Sequence, residues 1–166
     1  MNKNIIGMQV YINISKTEWG CLMDTNKTWT ITGVKDYDEA KDWCEHFIIK
    51  DEAGTEKEIR EVECVFVPDY SLPEERMIQK YLSDNGIWAE VYHSGDDIQV
   101  SISVGDWKHE HLWCRDLMDY IGYAQAEEEV TEENGSDCYS AIHTYRKLPA
   151  EYLEWRKAVH EAEENE

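Results

Sequence analysis

Basic residues are scarce in this chain. Its 166 residues include 16 Lys and Arg but 36 Asp and Glu, so the formal net charge is −20 at pH 7. A charge of this size says little about the fold, but it determines which partners the protein attracts and which it repels. Nucleic acids and anionic membranes are repelled, whereas the basic groove in which another protein holds DNA or RNA is attracted. We therefore expect a basic protein partner and no direct binding to nucleic acid or membrane.

Long apolar runs are missing as well. The first residues lack the apolar segment and small-residue cleavage site of a signal peptide, and no stretch approaches the roughly 18 apolar residues of a membrane span. These absences predict a cytoplasmic location. Hydrophobic residues still make up 42% of the chain, with seven Trp and ten Tyr, which is enough apolar surface to offset the entropy of ordering a charged chain. The sequence therefore predicts a folded protein.

Signatures of catalysis and of cofactor binding are also lacking. The five cysteines include no CxxC pair, and their odd number argues against both a disulfide framework and a zinc cage. No GxSxG elbow, glycine-rich phosphate loop or HExxH motif occurs. Cys44, Cys64 and Cys114 are interpreted as small core residues. We expect no cofactor, no metal ion and no catalytic residue, and hence no enzymatic activity.

Two histidine-containing regions are candidates for metal binding or catalysis. The first is a group of four close residues, Asp106, His109, Glu110 and His111. On a helix, His109 and His111 point about 200° apart, so we interpret the group as a solvated helix start. The second is a strand with His143 and Cys138, which face opposite ways because a strand alternates its side chains. A small metal- or Cys/His-dependent enzyme that uses either region is an alternative.

The first half of the chain predicts two strands, a helix and a third strand. Residues 8–15 and 27–32 have the alternating, β-branched composition of strands. Residues 36–48 place apolar side chains at helical spacing behind Asp36, which is suited to an N-cap. Residues 58–68 then have the composition of a mostly buried strand.

The second half repeats this order. Residues 36–48 align with residues 106–118 without a gap, which superimposes two Trp-Cys pairs, Trp43-Cys44 and Trp113-Cys114. Such a match indicates an internal duplication of a strand-strand-helix-strand unit. The alternative is that any amphipathic helix between strands produces similar matches. Helices that follow antiparallel strands predict an α+β fold with antiparallel sheets and helices on one face.

Helix-capping and turn residues predict the domain organisation of the chain. We expect a first unit over residues 1–70, a connecting helix over 71–86, a second unit over 87–148 and a C-terminal helix with an acidic tail over 149–166. The connecting helix has a capping box, Ser71 with Glu74, and an Asn-Gly stop. Its apolar stripe consists of Met77, Ile78, Tyr81 and Leu82. In the second unit, residues 127–133 and 138–146 predict a hairpin around another Asn-Gly pair.

The tryptophans are divided between core and surface. Trp43 and Trp113 are assigned to the core. The less committed tryptophans are Trp19, Trp29, Trp107 and Trp155. Aromatic residues among acids make good anchors for a protein partner, because interface hot spots favour Trp and Tyr. This composition favours a second class of function, an intracellular protein–protein adaptor whose acidity serves solubility.

Two groups of acids are candidates for binding a basic partner. Duplex DNA presents one negative charge per roughly 1.7 Å of axis, so a rigid protein with carboxylates at comparable density can occupy a groove that evolved for phosphates. The candidate residues are Asp38, Glu39, Asp42 and Glu45 on the first predicted helix, and Glu127, Glu128, Glu129, Glu132 and Glu133 in the second unit. Alternatively, these acids only keep the protein soluble.

The N-terminal third of the chain resembles the ArdA-type antirestriction proteins of bacterial mobile elements. The likeness lies in residues 8–12 (MQVYI), in the strand and helix that follow, and in residues 69–73 (DYSLP) after the third strand. Proteins of that family are acidic and dimeric and inhibit restriction enzymes by imitating DNA. The resemblance therefore implies a non-enzymatic DNA mimic that binds the nucleic-acid-binding surface of a host defence nuclease, and it allows a homodimer. The same charge would suit a phage inhibitor of a CRISPR effector.

Overall fold

The computed structural model describes residues 5–16, 21–104, 107–134 and 138–164, and beside some gaps it describes the backbone alone. The strands within these residues are β1 Gln9–Asn13, β2 Met23–Asp38, β3 Trp43–Lys50, β4 Glu56–Arg60, β5 Cys64–Phe66, β6 Ala89–Ser94, β7 Asp97–Val104, β8 Tyr123–Asn134 and β9 Cys138–Lys147. The helices are α1 Glu74–Asp84, α2 Trp107–Tyr120 and α3 Ala150–Glu164. They accompany two antiparallel sheets, so the predicted α+β class is confirmed.

The described residues fall into two compact units. One contains the chain up to Val67 together with the end of α3 from Val159, and the other contains Pro68–Ala158. Each unit has one sheet, with strand order β4-β3-β2-β1-β5 in the first and β6-β7-β9-β8 in the second. In the part of the chain that the structure describes, no helix has both the length and the apolar content needed to cross a bilayer.

The first sheet is strongly curled. Its two edges, β4 and β5, are separated in sequence only by the 3₁₀ turn Glu61–Glu63. The edges of a flat five-stranded sheet lie roughly 19 Å apart, whereas the four residue steps from Arg60 to Cys64 span at most about 14 Å. In the curled sheet, the rings of Phe47 (β3) and Phe66 (β5) lie 6.2 Å apart. The single strand predicted over residues 58–68 is therefore wrong, because these residues form two strands at opposite edges.

The interior of the first unit is apolar and comes from four of its strands. It contains Val10, Ile12, Trp29, Ile31, Cys44, Phe47, Ile49 and Ile59. Paired strands bring these residues together, since Val10 lies opposite Trp29 and Ile31 lies opposite Ile49. Every second side chain of a strand points to the same face, so alternate residues of these strands form one apolar cluster.

The helix predicted over residues 36–48 is wrong, because this segment forms the β2–β3 hairpin. Tyr37 pairs with Cys44 across it. Two acids have the left-handed backbone conformation, Asp36 at φ 59° and Asp42 at φ 49°, which Asp adopts more readily than most residues. The Asp38 carboxylate accepts the backbone N–H of Ala40 at 2.9 Å. Side chains that fit the start of a helix thus form a turn instead.

This correction also removes the helix on which the duplication depended. The first unit has no counterpart of α2 in its described residues, and the second sheet has four strands against five in the first. The two units are therefore not similar strand-strand-helix-strand units. The helix that the antirestriction resemblance placed after the second strand is this same hairpin.

In the second unit, a buried side-chain hydrogen bond joins α1 to α2. The hydroxyl of Tyr81 in α1 donates to the backbone carbonyl of Leu117 in α2 at 2.7 Å. The predicted stripe of α1 is confirmed, because all four of its residues are buried. The capping box is wrong, since α1 begins at Glu74 after Pro73, and Ser71 donates its N–H and hydroxyl to Asp69 instead.

The predicted hairpin of the second unit is confirmed and is longer than expected. Strands β8 and β9 pair from Tyr123 opposite Lys147 to Asn134 opposite Cys138. Gly135 of the predicted turn lies outside the described residues. The C-terminal helix is also confirmed, as α3.

The tryptophan assignments are partly wrong. Trp43 is 38% exposed, whereas Trp29 is only 5% exposed within the first core. Trp113 is half-buried, and its indole N–H donates to the backbone carbonyl of Asn85 at 3.1 Å. Trp155 is 61% exposed. Trp19 and the side chain of Trp107 lie outside the described residues.

Candidate functional site

The acids of the second unit lie on β8, which is an edge strand. In the described sheet β8 pairs with β9 alone, and the side chains of residues 126–131 are all exposed. Charged side chains on an edge strand oppose pairing with another strand. This location therefore displays the carboxylates and also protects the edge.

A bulge in β8 sets the register of these acids along the edge strand. Glu127, Glu129 and Glu132 lie opposite Thr144, Ile142 and Ser140 of β9, which are alternate residues of one regular strand. A bulge between Val130 and Glu132 inserts an extra residue, so the backbone of Glu132 lies opposite Ser140 and not opposite Tyr139. The backbone positions of Glu127, Glu129 and Glu132 thus form a row with a spacing of roughly 7 Å along the strand.

The charge density of β8 is close to that of one nucleic-acid strand. Five of the seven residues from Glu127 to Glu133 are glutamates, and they span roughly 20 Å at about 3.4 Å per residue. One charge per roughly 4 Å compares with one phosphate per about 3.4 Å along one strand of DNA. The basic side chains at the end of the neighbouring strand β9 form ion pairs with acids outside β8. Arg146 pairs with Asp97 at 3.4 Å, and Lys147 pairs with Glu74 at 3.6 Å.

The acids of the first unit lie at the β2–β3 turn and have local roles. The Asp38 carboxylate accepts backbone N–H groups in the turn. The Asp42 carboxylate accepts the hydroxyl of Tyr37, and this hydrogen bond raises the pKa of Tyr37 to about 12. Glu39 and Glu45 are exposed. This group therefore shapes a hairpin and does not form a row like that of β8.

A second site lies beneath β8, where two histidines meet. Nδ1 of His111 in α2 contacts Nε2 of His143 in β9, and the ring centroids are 4.7 Å apart. The side chains are 6% and 2% exposed, respectively. Glu128 lies directly opposite His143 in the β8–β9 register. One donor atom from each of these three residues lies within 4.8 Å of the other two.

Burial controls the protonation of this pair. Burial, reinforced by the neighbouring His143, lowers the pKa of His111 to about 4, although the Glu128 carboxylate acts in the opposite direction. Burial also lowers the pKa of His143. Both imidazoles are therefore neutral at pH 7, which is the form that ligates metal ions.

The layer next to the histidines is apolar and unreactive. The hydroxyl of Tyr145 donates to Sγ of Cys114 at 3.5 Å, and the rings of Tyr145 and His143 lie 6.2 Å apart. Burial raises the pKa of the Cys114 thiol to about 12. Cys114 is therefore a protonated core residue at neutral pH, because nucleophilic cysteines need a lowered pKa.

The histidine cluster differs from the one that the sequence suggested. His111 turns into the unit, whereas Asp106 and the side chain of His109 lie outside the described residues, and Glu110 is half-buried. The fold instead joins the two regions on which the enzyme alternative depends. One signal was present in the sequence: His111 shares a helical stripe with Cys114 and Leu117. Nothing in the local pattern pairs it with His143.

Comparison with known protein families, with curated protein sequences and with solved structures found no match for this chain. The function therefore has to be inferred from the acidic edge strand and from the histidine cluster.

Proposed function

We propose that this protein is a cytoplasmic, non-enzymatic inhibitor whose acidic surface binds the nucleic-acid-binding surface of a host defence nuclease of the restriction or CRISPR type. The observation that carries the proposal is the set of five glutamates from Glu127 to Glu133 on β8, whose combined charge density along the strand approaches that of a nucleic-acid strand. A rigid, paired strand holds these charges at fixed spacing. Such a surface competes with nucleic acid for the basic groove of the nuclease.

Competition with DNA tests this proposal. We would measure the affinity of the protein for a purified restriction enzyme and for a CRISPR effector nuclease, with and without duplex DNA. Duplex DNA should displace the protein, and the affinity should fall at least tenfold between about 50 and 200 mM salt, because charge pairing is screened. A complex that duplex DNA does not displace, or that withstands about 1 M salt unchanged, contradicts the proposal.

A matched pair of variants separates the β8 row from net charge. The double variant Glu127→Gln/Glu129→Gln removes two charges from the row, and Glu52→Gln/Glu56→Gln removes two exposed charges from the first unit. Only the first variant should weaken binding, by about tenfold. Equal losses in both would mean that overall charge, and not the β8 row, drives association.

A second candidate function is supported by exposed aromatic residues on α3. Tyr152 and Trp155 are 44% and 61% exposed, and their rings lie 5.7 Å apart. Exposed aromatic residues favour binding to another protein, as expected for an adaptor. In that case, Trp155→Ala should weaken partner binding at least tenfold, and salt should have little effect.

A further inference from the structure

We propose that His111, Glu128 and His143 form a binding site for a divalent transition-metal ion of the zinc class. The site lies within the second unit, between α2 and the β8–β9 hairpin. The inference goes beyond the proposed inhibitory function and does not depend on it.

Three separate elements bring the donor atoms together. His111 lies on the buried stripe of α2, and its ring meets that of His143 on the facing side of β9. Glu128 occupies the position of β8 opposite His143. Residues that are 17 and 15 positions apart in sequence thus converge because of the helix-on-sheet packing and the strand register.

The spacing of the donors suits a small metal ion. Zn–N and Zn–O bonds of about 2.0–2.2 Å at tetrahedral angles require donors roughly 3.3 Å apart. The two imidazole nitrogens are in contact, and all three donor atoms lie within 4.8 Å of one another. Small side-chain rotations that separate the nitrogens and bring the carboxylate closer would meet this requirement.

Hydrogen bonding alone leaves part of the cluster unsatisfied. In a hydrogen bond between two neutral imidazoles, one ring donates an N–H and the other accepts it with a lone pair. A metal ion bound between the rings would instead accept one lone pair from each ring. Nδ1 of His143 is buried and has no hydrogen-bond partner among the described residues. When Nε2 ligates a metal ion, the neutral ring carries its proton on Nδ1, so the ion itself does not pair this atom.

The donor types select the metal. Two imidazoles and a carboxylate form the ligand set of several zinc sites that keep a fourth position open, and imidazole also suits copper and nickel. Magnesium and calcium prefer oxygen ligands alone. Glu128 is exposed whereas the histidines are buried, so the ion would enter from the side of β8, and its fourth position would face solvent there.

Zinc titration of the full chain tests the site. We would measure zinc affinity by competition with a chromophoric chelator in the presence of millimolar Mg²⁺, which occupies the weak sites of an acidic surface. One zinc ion per chain should bind, and Co²⁺ at the same site should show the visible absorption of four-coordinate cobalt. Loss of binding in Mg²⁺, or a binding stoichiometry well above one, overturns the proposal.

Variants with matched controls identify the ligands. Glu128→Gln is exposed and should fold normally, yet it should weaken zinc binding at least tenfold, and His143→Gln should weaken it about 100-fold. The controls are the neighbouring Glu127→Gln, the exposed His93→Gln in β6, and His46→Gln, which removes the histidine from a second acidic group with Asp36 and Glu45. These three should retain wild-type affinity.

The folding of each variant is checked by far-ultraviolet circular dichroism. If Glu128→Gln folds and retains wild-type affinity, the proposed ligand set is wrong. If His46→Gln alone abolishes binding, the ion binds at the β2–β3 hairpin and the proposal is also wrong. Nuclease binding is a separate measurement, so the failure of either proposal leaves the other standing.

Discussion

The two segments that contain a Trp-Cys pair fold differently although they can be aligned without a gap. Residues 36–48 form a β-hairpin, and residues 107–118 lie in α2. Cys44 and Cys114 are both fully buried in their respective units. The shared pattern therefore predicts that the cysteine is buried. It does not predict whether the buried residues that follow recur with the period of a strand or with that of a helix.

The residues after each cysteine explain the difference. In the first segment, Phe47 and Ile49 are buried and Ile48 is not, which is the two-residue period of a strand. Aromatic and β-branched residues in a row favour a strand. In the second, Leu117 and Met118 are buried three and four residues after Cys114, which is the helical period.

Packing in the hairpin also depends on the partner strand β2. Gly33 pairs with Ile48, and a Cβ atom at Gly33 would lie 3.4 Å from Cδ1 of Ile48. The side chain of Ile48 therefore lies against the backbone of a residue 15 positions earlier in the chain, which no window around the segment reveals.

The largest expected effects come from truncating one buried side chain in each core, at positions that align with each other. Phe47→Ala should lower the free energy of unfolding by about 3–5 kcal/mol, and Leu117→Ala by about 2–5 kcal/mol, because each leaves a cavity. Urea denaturation measures both. The exposed Leu112→Ala in α2 is the control and should cost well under 1 kcal/mol. If Leu117→Ala were as mild as Leu112→Ala, the stripe of α2 would not be the core of the second unit.

A smaller effect should follow acidification, through the buried histidine pair of the second unit. Without metal, His111 has a pKa of about 4 when folded and about 6.5 when unfolded, so the unfolded chain binds more protons between these values. Stability is therefore complete above about pH 6.5 and is lost as the pH falls toward 4. Glu128 is the charged group that faces the pair.

Urea denaturation in EDTA at several pH values between about 7 and 4.5 measures this loss. His111→Gln should reduce the pH dependence, whereas the exposed His93→Gln should leave it unchanged. If the free energy of unfolding depended on pH equally in wild type and His111→Gln, the pKa of His111 would not be lower in the folded protein than in the unfolded chain.

The smallest effects should have opposite signs at aligned surface positions. Glu45 in β3 and Arg115 in α2 are both exposed and align with each other. Glu45→Thr should stabilise the hairpin by up to about 0.5 kcal/mol, since Thr favours strands. Arg115→Thr should destabilise the helix by about 0.5 kcal/mol. Urea midpoints that shift in the same direction for both would show that local propensity does not distinguish the two segments.

Much of the fold followed from patterns that are complete within one element. The stripe of α1 lies in eleven consecutive residues, and the β8–β9 hairpin is marked by two alternating runs around an Asn-Gly pair. The candidate site was less accessible. The glutamates of β8 were identified as candidate binding residues, but the bulge that places Glu132 opposite Ser140 depends on the pairing with β9. The same limit applies to the capping box, because Ser71 bonds to Asp69 instead of to the helix.

The sequence by itself determined the net charge of −20, the α+β class and the burial of both Trp-Cys cysteines, because composition and hydrophobicity act without regard to distant neighbours. The tertiary structure alone decided that β4 and β5 lie at opposite edges of a curled sheet and that His111 meets His143 beside Glu128. Each of these outcomes depends on contacts between residues far apart in sequence. Such contacts form only when helices pack and strands pair in a particular register.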